Sequence, residues 1–372
     1  FRMILDLLPH HRQSHAVMKK SSFLSVVAAA ASVFFTHVAV AEILFDTVRE
    51  TGARNGIIVL VQPGDAVCAE AARLNFTVLA LDTRPERVAA LRRQFLEQDV
   101  YGRVSAIRFD GRTIPCVDGL VNAVVSEATT VDDAEVMRVL APRGVALVKD
   151  GSEWQKRKKP WPKDIDEWPQ YLRAGDNNAV SRDRVGPPDR LKWTGGTPWA
   201  RSHMSAVTVI SMVSAGGRLY TIEDLETVEY HRLPGKYFLI ARDAFNGLDL
   251  WKKPLGGNWT SQDYNKYIAT QYQRRIAAIG DIVYCPLGMG EPVSAIDGAT
   301  GELINEFPAT AGVQEFVYDR GVLYAAVGQA FEMKDSKDDR VRLIALEVES
   351  GDTLWEKLIA VSYTHLRAHE TS

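Results

Sequence analysis

Residues 57–66 read IIVLVQPGDA, and residues 77–82 read TVLALD. An unbroken apolar run, a tight turn with a glycine, a helical stretch and a second apolar run ending in an acid outline a nucleotide-binding β-α-β unit. Strands covered on both faces read as continuous apolar runs of this kind. Such a turn ordinarily carries three glycines, and here only Gly64 is obvious. The outline poses a choice between a working cofactor site and a scaffold that has lost its ligand.

Working outward, the same alternation continues from Glu42 to Gly151. The runs VSAIRFD, VNAVVSEA and GVALVKDG follow the first two, and helical patterns lie between the runs. DAVCAEAARL follows Gly64. In PERVAALRRQFLEQD, Val88, Leu91 and Phe95 recur at spacings of three and four, which places them on one helix face. DDAEVMRVL makes a third helix, with a stop expected before Pro142 and Gly144. Strands alternating with helices predict a parallel sheet covered on both faces.

From residue 152 to 206 no period is visible, and prolines, tryptophans and charges crowd together. The KRKK run, Lys156 to Lys159, reads as a solvated linker. The tryptophans predict that the segment packs on something, because disordered linkers are poor in aromatics. Its polar groups include Asp164, Asp166, Glu167, Asp176, Asn177 and Asn178, followed by Trp199, Arg201 and His203. Clustered carboxylates and amides suit calcium, which leaves Asp166, Asp176 and Asn177 as metal candidates. They do not match an EF-hand loop, and DNN is also a turn signal. Trp199, Arg201 and His203 stand as ligand candidates, with a packed or surface histidine as the alternative for His203.

From residue 207 to 360 the chain is β-rich and repetitive. GGRLYTI, GDIVYCP and RGVLYAA form one element; ARDAFNGLDLWKKPL, AIDGATGELINEFPA and ALEVESGDTLWEKLI form the other. Gly247, Gly301 and Gly351 recur at intervals of about 50 residues, room for four short strands per unit. Each unit predicts a strand ending in Asp or Glu, a glycine turn, and a strand with Trp251 or Trp355 wedged against a neighbouring unit. Asn305 takes the tryptophan position in the middle unit, so that contact is expected to be weaker.

The chain has 372 residues, is 46% apolar and 24% charged, and carries a net charge of −3. The length allows about two domains, and the near-neutral balance gives no electrostatic reason to expect nucleic acid. Cys68, Cys116 and Cys285 are too few for a disulfide framework and read as small apolar residues. At 18–41, Lys19 and Lys20, an apolar run from Phe23 to Phe35 and Ala39-Val40-Ala41 have the form of a cleavable export signal. The run is shorter than the roughly 20 residues a membrane span needs. The expectation is a periplasmic or secreted protein beginning near Glu42, with no transmembrane span in the mature chain. Residues 1–17 read as translated upstream sequence and residues 361–372 as an adapter-derived tail, so the array of about three units is expected to be incomplete.

ALDTRPERVAALR after the second strand and EVMRVLAPRGVALV at the fifth make residues 42–151 resemble the class I S-adenosylmethionine-dependent methyltransferase domain. DGATGELI and ARDAFNGLDLW make residues 207–360 resemble pyrroloquinoline-quinone-type propeller repeats, whose signature is A-x-D-x-x-T-G-x-x-x-W. With the bridge KPWPKDIDEWPQYL, DNNAV and VGPP, the whole is similar to exported bacterial proteins that join a methyltransferase-like domain to a quinoprotein-like propeller. The implied fold is a multidomain one: a doubly wound, Rossmann-like α/β domain followed by an incomplete all-β propeller.

The resemblance implies a first turn G-x-G-x-G, which falls here on Gln62, Gly64 and Ala66. It makes Asp82 the contact to the ribose hydroxyls and places Asp110 near the adenine. Gly64, Asp65, Asp82 and Asp110 are therefore the candidate cofactor residues. Two of them have competing roles: Asp82 as a cap for the helix that follows, and Asp65 as an acid stabilising the helix dipole. Gln62 puts a side chain where the cofactor would lie, and export would separate the chain from a cytoplasmic methyl donor. Quinoprotein dehydrogenases use the quinone, calcium, a catalytic Asp and often adjacent cysteines; no adjacent pair occurs here. Asp243, Asp297, Trp251 and Trp355 correspond to blade docking in that family, so quinone and calcium would need a site supplied by further blades. The leading expectation is a binding protein for a small-molecule or protein ligand at a propeller face, with a degenerate methyltransferase-like module. Methyl transfer and quinone-dependent oxidation are the alternatives.

Overall fold

The alternating runs of the amino-terminal half pair into one sheet. The computed structural model describes residues 46, 48, 55–127, 131–176, 178–186, 191–196, 208–227, 234–257, 259, 270–328 and 340–360. Strands β1 (Ile57–Val61), β2 (Thr77–Asp82), β3 (Val104–Arg108), β4 (Val121–Ser126), β5 (Leu140–Asp150) and β6 (Glu153–Lys158) lie in the order β3-β2-β1-β4-β5-β6. The first five are parallel and β6 is antiparallel to β5. Helices α1 (Asp65–Arg73), α2 (Pro85–Glu97) and α3 (Asp133–Val139) cover its faces. Ile58, Leu60, Val78 and Ala80 pack with Val67 and Cys68 of α1 and with Val88, Leu91 and Phe95 of α2. Val59, Val61, Leu81 and Val124 pack on the other face with Val136 and Val139 of α3. Successive side chains of one strand thus enter two cores, and the strand has no polar face to show.

Two boundaries differ from the sequence expectation. Strand β5 starts at Leu140, directly after α3 and ahead of Pro142, with a register shift against β4 between Val121 and Ala123. Most of the KRKK run is not a solvated linker but part of β6, the edge strand of the sheet. An edge strand needs partners on one side only, and its charges block further strand addition.

The carboxy-terminal half forms three four-stranded antiparallel sheets in chain order. The first contains β7 (Val209–Ala215), β8 (Arg218–Asp224), β9 (Tyr237–Asp243) and β10 (Asp249–Pro254). After the short helix α4 (Thr270–Gln273) come β11 (Ala277–Ile279), β12 (Ile282–Pro286), β13 (Val293–Asp297) and β14 (Leu303–Phe307). The third holds β15 (Val313–Asp319), β16 (Val322–Val327), β17 (Arg340–Glu347) and β18 (Thr353–Ala360). Between the third and fourth strands of each sheet the glycine turn recurs. Gly247, Gly301 and Gly351 donate to the carbonyls of Asp243, Asp297 and Glu347 at 2.8, 2.8 and 2.9 Å. Their φ angles of +75°, +74° and +79° lie in the left-handed region that glycine enters without strain.

One tryptophan seats the turn of the next sheet. Trp251 Nε1 donates to the Gly298 carbonyl at 3.0 Å, and its ring occupies the space a Cβ on Gly301 would need. Trp193, from the segment without periodicity, does the same for the first sheet: Nε1 donates to the Ala244 carbonyl at 3.1 Å and the ring covers Gly247. At the third turn the smaller Asn305 stands 4.0 Å from the position of a Cβ on Gly351. Trp355 repeats the pairing of Trp251 with a tyrosine, yet it remains 47% exposed.

The amino ends of the parallel strands rest on the first antiparallel sheet. Asn122 Oδ1 accepts from the Ile57 amide and from Asn246 Nδ2, each at 2.8 Å, while its Nδ2 donates to the Asp243 carboxylate at 2.7 Å. Asn55 Nδ2 adds a bond to the Asp249 carbonyl at 2.8 Å. The carboxyl ends of the same strands lie on the opposite edge. Among the described residues no helix is long and apolar enough to cross a membrane.

Replacing Trp251 by Ala is expected to cost about 2–3 kcal/mol through lost packing. Trp355→Ala should stay within about 0.5 kcal/mol, as exposed sites do. Urea unfolding followed by circular dichroism measures both.

Candidate functional site

In doubly wound sheets a ligand lies beyond the carboxyl ends of the strands, where the strand order reverses. Here that point is between β1 and β4. Gln62, the first residue after β1, has φ +47°, so it keeps the left-handed conformation that a glycine would adopt at the first position of the turn. Its amide donates to the Leu81 carbonyl at 2.8 Å and its side chain to Thr83 Oγ1 at 3.3 Å. Gly64 has an ordinary φ of −72°, and its amide donates to the Glu127 carboxylate. Asp65, at the start of α1, pairs with Arg87 at 2.7 Å, and Arg87 also reaches the Pro63 carbonyl at 3.1 Å.

Asp82 closes β2 and is fully buried at 0% exposure. Arg84 surrounds it: the Arg84 amide and Nε donate to Oδ1 at 2.9 and 3.0 Å, and Nη2 to Oδ2 at 2.9 Å. Burial pushes the carboxyl upward, but the Arg84 bonds outweigh it and hold Asp82 below the usual carboxylate range. The residue directly before α2 is Arg84 itself, so Asp82 shapes the turn into that helix without capping its first residues. Asp110 accepts from the Thr113 and Arg112 amides at 2.7 and 2.8 Å, and these bonds lower its carboxyl. Next to it, the space beside Gly111 is bounded by the Thr83 methyl.

The structure therefore gathers Gln62, Gly64, Asp82, Thr83 and the Asp110 turn along one edge, as the sequence order implies. Among the described residues there, the Gln62 side chain, the Gly64 amide, Asp82, Thr83 Oγ1 and Asp110 Oδ1 already have partners within the chain. A cofactor contact through Asp82 would require Arg84 to leave, and one through the Gly64 amide would require Glu127 to leave. In this arrangement Arg84 and Glu127 occupy the two groups, Asp82 and the Gly64 amide, that a cofactor would use. The sequence reading missed Arg84 and Glu127. The signal available was a guanidinium two residues after the strand-ending acid and a carboxylate at the end of β4.

The other candidates separate. Trp199, Arg201, His203 and Asn177 lie outside the described residues. Asp166 accepts from Arg173 Nε and Nη2 at 2.6 and 3.3 Å and from the Arg182 amide at 2.8 Å. The Arg173 guanidinium brings its carboxyl down to about 2. Asp176 accepts from the Asn178 amide at 3.0 Å. Both acids thus hold turns, and among the described residues no group of three His, Cys, Asp or Glu side chains could hold a metal ion. The Cys68 thiol is pushed up to about 12 by burial, and burial raises Cys116 and Cys285 as well.

No family model and no curated protein matches the chain. Among solved structures, the chain is similar to a putative S-adenosyl-L-methionine-dependent methyltransferase from Methanococcus maripaludis, 17% identical over 38% of this chain and 67% of that one, with a TM-score of 0.28. It is also similar to a putative sarcosine dimethylglycine methyltransferase from Galdieria sulphuraria, 19% identical over 30% and 46% of the two chains, TM-score 0.27. A third is geranyl diphosphate C-methyltransferase from Streptomyces coelicolor A3(2), solved with S-adenosyl-L-homocysteine, 19% identical over 30% and 44%, TM-score 0.27. The chain spans 44% to 67% of the length of these three proteins. Strand order and helix placement define a doubly wound α/β domain, followed by three antiparallel sheets.

The Asp166 pair sets an expected acid response. Its folded-state value lies below the ordinary 3.8, so its contribution is complete above that value and is lost as pH falls toward about 2. Acid unfolding of the wild type and Asp166→Asn should therefore differ most above pH 4 and converge near pH 2.

Proposed function

We infer that this chain is a binding protein whose methyltransferase-like domain serves as a structural module and does not transfer methyl groups. The observation that carries this reading is the pairing of Asp82 with Arg84, seconded by that of the Gly64 amide with Glu127. A buried carboxylate needs a partner, and at this one an arginine from the same chain fills the place a bound ligand would take. Methyl transfer is the second reading. Its support is the acid kept at the end of β2, and it requires three hydrogen bonds from Arg84 to be exchanged for ligand contacts.

In the same reading the three antiparallel sheets are blades of a propeller that binds its ligand or partner through loops on one face. The support is the repeated glycine turn with its tryptophan seat. Asp243, Asp297 and Trp251 serve those turns and seats, so quinone-dependent oxidation would draw on residues other than these. The run at 23–35 with Ala39-Val40-Ala41 supports a periplasmic or secreted location.

Calorimetric titration of the full chain with S-adenosylmethionine and S-adenosylhomocysteine tests the reading. The expected result is no saturable binding tighter than about 1 mM, roughly −4 kcal/mol. Micromolar binding of either would overturn it and make Asp82 and Gly64 ligand contacts.

A further inference from the structure

A second place in the molecule is built differently. Where the amino ends of the parallel strands meet the first two antiparallel sheets, a cavity of about 460 Å³ opens. Ligand pockets favour such domain junctions, at volumes of about 300–1,000 Å³. Its walls come from the β5–β6 end of the α/β sheet, from the β7–β8 and β9–β10 turns, and from the second antiparallel sheet. Three cationic side chains line it: Arg143, Lys158 and Arg218.

Arg143 stands in a conformation its side chain does not favour. Its φ is +66°, a left-handed setting that costs a non-glycine residue about 1 kcal/mol or more. Backbone bonds at 2.9 Å between Arg143 and Lys159, and between Lys159 and Gly144, hold it there. The guanidinium lies 4.9 Å above the Trp161 ring, and Nη1 donates to the Gly216 carbonyl at 3.3 Å. Strain of this kind recurs where a side chain is held for a ligand.

The acids of the cavity divide into two kinds. Asp243 Oδ1 accepts two amides of its own turn and Oδ2 accepts Asn122, and Asp297 Oδ1 likewise accepts two turn amides. Both are structural. Asp281 alone is shared between guanidinium groups, at 2.7 Å from Arg218 and 3.9 Å from Arg143, and its side chain is 67% exposed. Turning into solvent, Asp281 would uncover two guanidinium groups beside the exposed Lys158, and an incoming anion would take its place as partner of Arg218, whose side chain is 12% exposed.

We propose that this junction cavity binds a small organic anion, with Arg143, Arg218 and Lys158 receiving its carboxylate or phosphate and Asp281 acting as the displaceable counter-ion. Phe245 and Leu250 supply apolar wall for the rest of the ligand. The site lies on the edge opposite Asp82, so its test is independent of the methyl-donor question.

The experiment is calorimetric titration of the full chain with inorganic phosphate and, separately, with succinate. Millimolar saturable binding of at least one probe is expected: phosphate alone points to a phosphorylated ligand, succinate alone to a carboxylate. Arg143→Gly, which relaxes the backbone while removing the guanidinium, should weaken that binding about tenfold. Asp281→Asn, which removes the competing carboxylate, should tighten it several-fold. Absence of saturation with both probes, or equal affinities in all three proteins, would overturn the proposal.

Discussion

The amide of Asn122 is the joint on which the arrangement turns. A parallel sheet covered by helices and an antiparallel array have no natural register with each other. Asn122 supplies one, because its oxygen accepts from both the start of β1 and Asn246 while its nitrogen donates to Asp243. A carboxylate in its place would lose the donor and face Asp243 across 2.7 Å. The glycine turn of the first sheet is thus more than a reversal between strands. Asp243 shapes the turn through the Phe245 and Asn246 amides, Asn246 carries the contact to β4, and Trp193 covers the glycine from the other side.

This joint fixes the amino ends of the parallel strands and leaves their carboxyl ends on the far edge. There the chain closes on itself. Burying Asp82 without a partner would be costly, and the guanidinium of Arg84, itself 60% exposed, removes that cost without a cofactor. Gln62 holds the left-handed turn with a side chain attached and hydrogen-bonds Thr83. Among the described residues, Gln62, the Gly64 amide and Asp82 are thus each answered from within the chain.

Much of the fold is legible in the sequence. IIVLV and TVLALD are buried on both sides, so their unbroken hydrophobicity marks parallel strands, and Val88, Leu91 and Phe95 mark the face of α2. The glycine turns are legible because their φ values demand glycine, and Trp251 because it recurs behind them. What escapes is long-range pairing between unlike segments. Glu127 meets Gly64 from 63 residues away, and Asn122 meets Asp243 from 121. Trp193 sits in a segment without period, so its match to Trp251 shows only once the turns are superimposed in space. Most of the KRKK run hides a strand because an edge carries charge where a central strand cannot.

The claim at the centre of this account is that Asp82 is held by Arg84 and not kept open for a ligand. Carbon-13 NMR of the Asp82 carboxyl through an acid titration measures this directly, in the wild type and in Arg84→Ala. The account predicts a value below the ordinary carboxylate range in the wild type, rising clearly once the guanidinium is removed. A wild-type value at or above the ordinary range, unchanged in Arg84→Ala, would contradict it and return the carboxyl edge to the role of an open cofactor site.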